Sequence, residues 1–223
     1  MFGVADLTSA IEFICRQGGE PLKGFPKAIS IGIRLTDAVV NELHRHDDPE
    51  TILPYEKEYF SVNSRLDNVA AQLARTIREE NYLAYPILAS QTIDSDRLTG
   101  LISHKLVANL AGLGWIGKSC LLITREYGPR VRLTSVLTDA PLRTGLRIGT
   151  DCDKCDACVR TCPARALTGA TFNPSEPREV RFRAHLCNSY MKKREGRVGQ
   201  EGLCGFCVYV CPYGRTNIRN ILR

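Results

Sequence analysis

Eight of the ten cysteines in this 223-residue chain fall between residues 152 and 211, and their spacing decides what that stretch can become. Its first half reads Cys152-Asp-Lys-Cys155-Asp-Ala-Cys158-Val-Arg-Thr-Cys162-Pro163, a C-x2-C-x2-C-x3-C-P run. The second half closes with Cys204-Gly-Phe-Cys207-Val-Tyr-Val-Cys211-Pro212 and is preceded by a lone Cys187. Three thiolates at x2 spacing wrap a cubane from one tight loop, and a fourth, carried off on a short helix, reaches a different cluster. Two [4Fe–4S] clusters are therefore predicted. Cysteines spaced by two also build zinc ribbons, but the x2, x2, x3 order with Pro after each last Cys favours iron–sulfur.

Two such runs together resemble the wiring of bacterial two-cluster ferredoxins. On that wiring cluster I takes Cys152, Cys155, Cys158 and the distant Cys211, and cluster II takes Cys162, Cys204 and Cys207. A symmetric second motif would place its remaining ligand three residues before Cys204, where Glu201 stands. Cys187 is the unassigned cysteine of the stretch and takes that role across a long loop. Ten cysteines without a basic, apolar leader point to metal rather than disulfides, and so to a cytoplasmic setting. No apolar run is long enough to span a membrane. Formal net charge is +6, but eight thiolates and two oxidised cubane cores bring the loaded chain to about +2. Net charge alone thus argues for no nucleic-acid partner.

Upstream, the periodicities are mixed. Residues 7–14 read as an amphipathic helix ended by Gly18-Gly19, with Cys15 a small buried hydrophobe. Residues 28–33 alternate as a strand, 36–46 read as a helix, and Asp47-Asp48-Pro49 as a turn. Residues 55–81 carry Tyr59, Val62, Leu66, Val69, Leu73 and Ile77 at threes and fours, a long amphipathic helix. A strand over 82–89 and a helix over 104–111, capped by Ser103 and ended by Gly112, follow. Residues 120–124 and 131–137 flank Glu126-Tyr-Gly-Pro129 and predict a hairpin. The expected fold class is α+β, with a mixed-sheet domain over 1–145, a connector over 138–150, and a 2[4Fe–4S] ferredoxin-like domain over 146–223.

Gly112-Leu-Gly-Trp-Ile-Gly-Lys118-Ser119 fits the letters of a phosphate-binding loop, but helix before and strand after reverse the order that such a loop needs. The glycines imply either a close approach to a flat ligand or a tight helix-to-strand turn. The run Lys192-Lys-Arg-Glu-Gly-Arg197, with Arg178, Arg181 and Arg183 upstream, is read as a solvated loop, since no aromatic residues interleave it.

The segment 111–118, the hairpin, the first cysteine run, Cys187-Asn-Ser-Tyr190 and the final Cys-x2-Cys-x3-Cys-Pro together resemble epoxyqueuosine reductase, and the shorter double-cluster proteins related to it. The resemblance implies a nitroreductase-like domain that holds cobalamin, with the clusters feeding electrons to cobalt. It places Tyr59, Asn63, His104, Lys105, Gly112, Gly114, Trp115, Gly117 and Lys118 around that cofactor. Asp94, in Ile93-Asp-Ser-Asp-Arg-Leu98, would match the family's proton donor. The family's helical repeats beyond the clusters are not seen here, so a tRNA partner is not expected. An electron-donor protein of ferredoxin or flavodoxin type, and a separate corrinoid protein, are the partners implied. The leading expectation is a cytoplasmic oxidoreductase that delivers electrons to a corrinoid. A plain electron carrier and an epoxyqueuosine-type tRNA reductase stand as alternatives.

Overall fold

The computed structural model describes residues 1–149 and 152–215. Thr150, Asp151 and most of the tail expected after Pro212 lie outside the described residues. The chain forms two compact units, each assembled from three stretches. The first takes Met1–Ile33, Ser61–Trp115 and Arg132–Gly149; the second takes Arg34–Phe60, Ile116–Val131 and the described residues from 152 onward. The units therefore interleave in sequence, whereas a single division at 145/146 had been expected.

The first unit is built on a four-stranded sheet ordered β1 (Phe2–Asp6), β2 (Lys27–Arg34), β6 (Val131–Thr138), β3 (Ala84–Ile87). β1 pairs antiparallel with β2, Val4 opposite Ile29, and β3 pairs antiparallel with β6, Ala84 opposite Thr138. β6 is buried along nearly its whole length, as a central strand must be. Ala70, Ala74 and Ile77 of the long helix α3 (Pro49–Glu79) form a core with Ile29, Ala84, Val136 and Ala140. Alanines at that seam let a helix approach a sheet closely. The stripe read from periodicity is buried at Val62, Leu66 and Ile77, but Val69 is 42% exposed, and Ala70 and Ala74 join the core beside it.

α3 begins at Pro49, six residues before the expected start. Proline suits the first helical position because its missing N–H would have no partner there, and Pro54 is accommodated inside the helix. Other differences are local. β1 precedes an α1 (Ile11–Gly18) that starts four residues later than expected and in which Cys15 is half-buried, not buried. The helix expected over 36–46 is a five-residue α2 (Asp37–Asn41) continued by a 3₁₀ turn. The predicted hairpin does not form. β5 (Leu122–Ile123) pairs with β4 (Trp115–Ile116), while β6 lies in the large sheet. The turn closes on itself instead, with Thr124 and Gly128 exchanging backbone bonds of 2.9 and 3.0 Å.

The second unit carries short helices that each present cysteines: α5 (Ala157–Arg160), α6 (Ala184–Lys192) with Cys187, and α7 (Phe206–Tyr209) with Cys207. The Asp47–Pro49 turn and α2 also belong to this unit.

Candidate functional site

The loop 152–158 is wound by a bond from Cys155 N–H to Cys152 O (2.8 Å), with Asp153 in the left-handed region. α5 then carries the chain past Cys158 to Cys162, whose sulfur accepts the N–H of Ala166 at 3.4 Å. Such N–H···S bonds stabilise a thiolate. Gly205, left-handed at φ +64°, turns the chain from Cys204 into α7. A Cβ there would meet Leu43 and Tyr55 at 2.8 Å, so only glycine lets this turn pack.

Two sets of thiols come together. Burial first, then Cys152 and Cys155, push Cys158 up to about 11. Burial raises Cys211 to about 12, beside Cys152, Cys158 and Cys155. In the other set burial raises Cys187 to about 11, beside Cys204 and Cys162. Burial also raises Cys207, beside Cys204, Cys187, Cys158 and Cys162. Cys211 thus lies among Cys152, Cys155 and Cys158, and Cys187 among Cys204 and Cys162, while Cys207 has neighbours on both sides, Cys158 among them. Thiols crowded and desolvated in this way are held protonated until a metal replaces the proton. Among the described residues no three His, Cys, Asp or Glu side chains close round a single-ion centre. A cubane binds each thiolate to a different iron and so needs sulfurs set wider apart. Among the described residues no cysteine forms a disulfide.

Several side chains that motif reading passed over shape these loops. Glu56 on α3 is 3% exposed, and its carboxylate accepts the N–H groups of Gln200 (2.7 Å), Glu201 (3.2 Å) and Leu203 (3.0 Å). Arg194, also buried, donates to Gly202 O (3.3 Å) and Leu203 O (3.4 Å) of the same loop, and to Asp47 and His46 O. The run 192–197 is therefore not wholly a solvated loop. Arg181 is buried as well, its guanidinium 4.6 Å from the Phe172 ring. A charged residue on the apolar face of α3, one turn from the fully buried Ile52, was the available signal for Glu56.

The other sequence candidates divide between the units. Lys118, in the second, donates through Nζ to Asp153 O (2.6 Å) and Cys155 O (3.1 Å), and so ties down the first cysteine loop. Gly117, in the same unit, approaches that loop too: a Cβ would lie 3.2 Å from Cys152 Sγ and 2.8 Å from Ile123. Tyr59 is the third candidate there and lies at a tilt to the Tyr55 ring. In the first unit Gly112 is left-handed at φ +76° after α4 (His104–Leu110), where a Cβ would lie 2.6 Å from Leu146 O. The glycine-rich turn is thus shaped by protein neighbours at two of its glycines. Gly114 O accepts from Asn109 Nδ2 at 2.8 Å. Asn109, missed in the sequence, also bonds Ile148 O and Arg147, tying the connector to α4.

Also in the first unit, Trp115 is 1% exposed and Lys105 is half-buried. His104 uses both ring nitrogens internally, Nε2–H donating to Leu88 O (3.0 Å) and Nδ1 accepting from the Ser135 hydroxyl (2.8 Å). Burial pushes its pKa down to about 4, so the ring is neutral near pH 7. Asn63 is 6% exposed; its Oδ1 accepts from Arg132 Nε at 2.9 Å, while its Nδ2 has no hydrogen-bond partner. Asp94 Oδ1 caps its own turn, accepting from Asp96 N and Arg97 N.

With the two thiol sets in view, comparison with known proteins is informative. Residues 151–214 match the family model described as a 4Fe-4S double cluster binding domain. This stretch is a double [4Fe–4S] domain. Among curated relatives, the epoxyqueuosine reductase of Listeria monocytogenes is 35% identical over 126 residues, covering 52% of this chain and 31% of that protein. The tetrachloroethene reductive dehalogenase of Sulfurospirillum multivorans is 36% identical over 114 residues, covering 48% and 23%. The matching stretch is thus about a third or less of each relative's length. Two solved structures share the fold over 96% of this chain, each at 18% identity. The catabolic reductive dehalogenase NpRdhA aligns with a TM-score of 0.71 and 30% of its chain covered; an epoxyqueuosine reductase bound to a tRNA stem loop aligns with 0.58 and 61% covered. The double-cluster domain thus sits in a mixed α/β chain similar to both groups. Among the described residues no helix is long and apolar enough to cross a membrane.

Proposed function

We propose that this protein is a cytoplasmic oxidoreductase whose two [4Fe–4S] clusters deliver electrons to a bound corrinoid. Cys152, Cys155, Cys158 and Cys211 hold one cluster, and Cys162, Cys187, Cys204 and Cys207 the other. The observation that carries this reading is that thiols from the two halves of the domain meet: Cys211 lies among Cys152, Cys155 and Cys158, and Cys187 beside Cys204 and Cys162. Clusters so linked pass single electrons. A ferredoxin- or flavodoxin-type protein is the donor.

Support for the corrinoid comes from two sources. One solved relative with this fold is described through B12-dependent dehalogenation. In this chain, the unpartnered buried amide of Asn63 is a donor suited to the carbonyl-rich periphery of a corrin. A corrinoid, when bound, supplies a cobalt centre capable of the reductive step. The chain's own part is to orient it and to exclude water. Gly117 and Lys118 serve this purpose indirectly, by holding the first cysteine loop. His104, neutral and internally bonded, holds Ser135 and the 88–89 backbone in place. Asp94 remains a candidate proton donor at the end of its turn.

Reduction of epoxyqueuosine in tRNA is a second reading with equal support, because the curated relative from Listeria carries that name and a solved relative was seen with such a tRNA stem loop. Anaerobic titration of the iron-loaded protein with cobalamin tests the corrinoid, and an assay on tRNA separates the two readings. About one cobalamin bound per chain, weakened at least tenfold in Asn63→Ala, is expected. A fully iron-loaded protein that binds no cobalamin, by spectrum and by equilibrium dialysis, removes the corrinoid from the account. Conversion of an epoxyqueuosine-containing anticodon stem loop by the reduced, cobalamin-bound protein would select the second reading.

A further inference from the structure

The loop that delivers Cys204 is gripped from both sides by buried charges of opposite sign. Its N–H groups at 200, 201 and 203 point to the Glu56 carboxylate, and its carbonyls at 202 and 203 accept from the Arg194 guanidinium. Gly199 and Gly202 permit the approach: a Cβ at Gly199 would meet Ile52 at 2.6 Å, and one at Gly202, left-handed at φ +63°, would meet Glu195 N at 2.7 Å. This is the loop whose Glu201 occupies the position where a symmetric motif would carry a cysteine. With no thiolate there to anchor the backbone, Glu56 and Arg194 do so.

We propose that Glu56 and Arg194 are positioning residues for the Cys162–Cys187–Cys204–Cys207 cluster, and that the buried Arg194 guanidinium makes this cluster the more readily reduced of the two. The inference rests on the ligand assignment proposed above. Reduction adds one electron, taken from the low-potential donor protein, with no bond made or broken and no proton moved. The added negative charge is stabilised by any cation held nearby in a medium of low dielectric.

Arg194 is such a cation: its side chain is 6% exposed, and its contacts end at the carbonyl that precedes Cys204. Its ion-pair partner Asp47 is 71% exposed, so water screens Asp47 more than Arg194. The corresponding cation at the first cysteine loop, Lys118, is only half-buried, and solvent weakens its field.

The two anchors have opposite charges, so they separate an electrostatic role from a merely structural one. The test is potentiometric titration of the full-length, iron-loaded protein followed by electron paramagnetic resonance, with dithionite as reductant. Arg194→Met should make one cluster about tenfold harder to reduce, a fall of about 59 mV for one electron. Arg194→Lys should leave it near the parent value, and Glu56→Gln should shift the same cluster upward. Arg194→Met may be replaced by Arg194→Gln if the former loses iron, with the same downward shift expected.

The proposal is overturned if Glu56→Gln shifts the cluster down, if neither anchor moves it, or if both clusters shift alike. It is equally overturned if Arg194→Lys falls as far as Arg194→Met. Cys187→Ala identifies the affected cluster. If that variant loses neither cluster, the ligand assignment has failed. If it loses one cluster and the Arg194 variants move the other, the present inference has failed while the assignment stands.

Discussion

Replacing Cys187 by Ala is expected to remove one cluster and leave the other, halving the iron from about eight to about four per chain. Cys187 sits on α6, outside both cysteine runs, and its thiol is buried beside Cys204 and Cys162. The remaining thiols of that set come from the end of the first run and from the loop and helix around Cys204–Cys207. Three thiolates leave one iron without a protein ligand, and the cubane is then open to loss. The other set draws on the loop 152–158 and Cys211, none of which is carried by α6, so its signal should persist. Iron analysis with electron paramagnetic resonance of the reduced protein measures the outcome. Loss of neither signal would show that Cys187 is not a ligand.

The converse variant is Gly128→Ala, which is expected to damage the other cluster. Gly128 is left-handed at φ +55°, where an L side chain costs about 1–2 kcal/mol. A Cβ at Gly128 would also lie 2.7 Å from Gly214 Cα, so backbone must move to admit it. The backbone in question is the 3₁₀ turn Pro212–Gly214 directly after Cys211. Beneath that turn lies Arg130, 1% exposed, whose Nη1 donates to Asp37 Oδ1 at 2.9 Å and leaves little room for retreat. Displacing Cys211 should lower occupancy of the Cys152–Cys155–Cys158–Cys211 cluster to less than half, while the Cys187-dependent signal stays. Together the two variants would give single-cluster proteins of opposite kind. Equal loss of both signals in Gly128→Ala would mean that the turn supports the whole domain rather than one ligand.

How much of this was legible in the sequence differs by kind of interaction. Cysteine spacing is local covalent information, and it sufficed for the double-cluster domain. The long helix, β2, β3, the Ser103 cap and the Gly112 turn followed from periodicity and from capping chemistry, which are also local. Pairing of strands is not. Residues 120–124 and 131–137 looked like a hairpin because a turn lay between them, but β6 is buried along nearly its whole length and takes its partners from 27–34 and 84–87. Glu56, Asn109 and Arg194 were missed for the same reason. The nearest loop partner of Glu56 lies 144 residues away, the connector partner of Asn109 39 and the ion-pair partner of Arg194 147, and no spacing rule reaches that far. Lys118 has a structural role that no motif announced. The letters around it resemble a phosphate loop, and the resemblance assigned it to a cofactor, yet its ammonium group lies on two carbonyls of the first cysteine loop.

Anaerobic purification followed by iron, sulfide, zinc and cobalt analysis tests the central claim most directly. The account predicts about eight iron and eight sulfide per chain with negligible zinc, and uptake of about one cobalt when cobalamin is supplied. About one zinc per chain with no iron would contradict it.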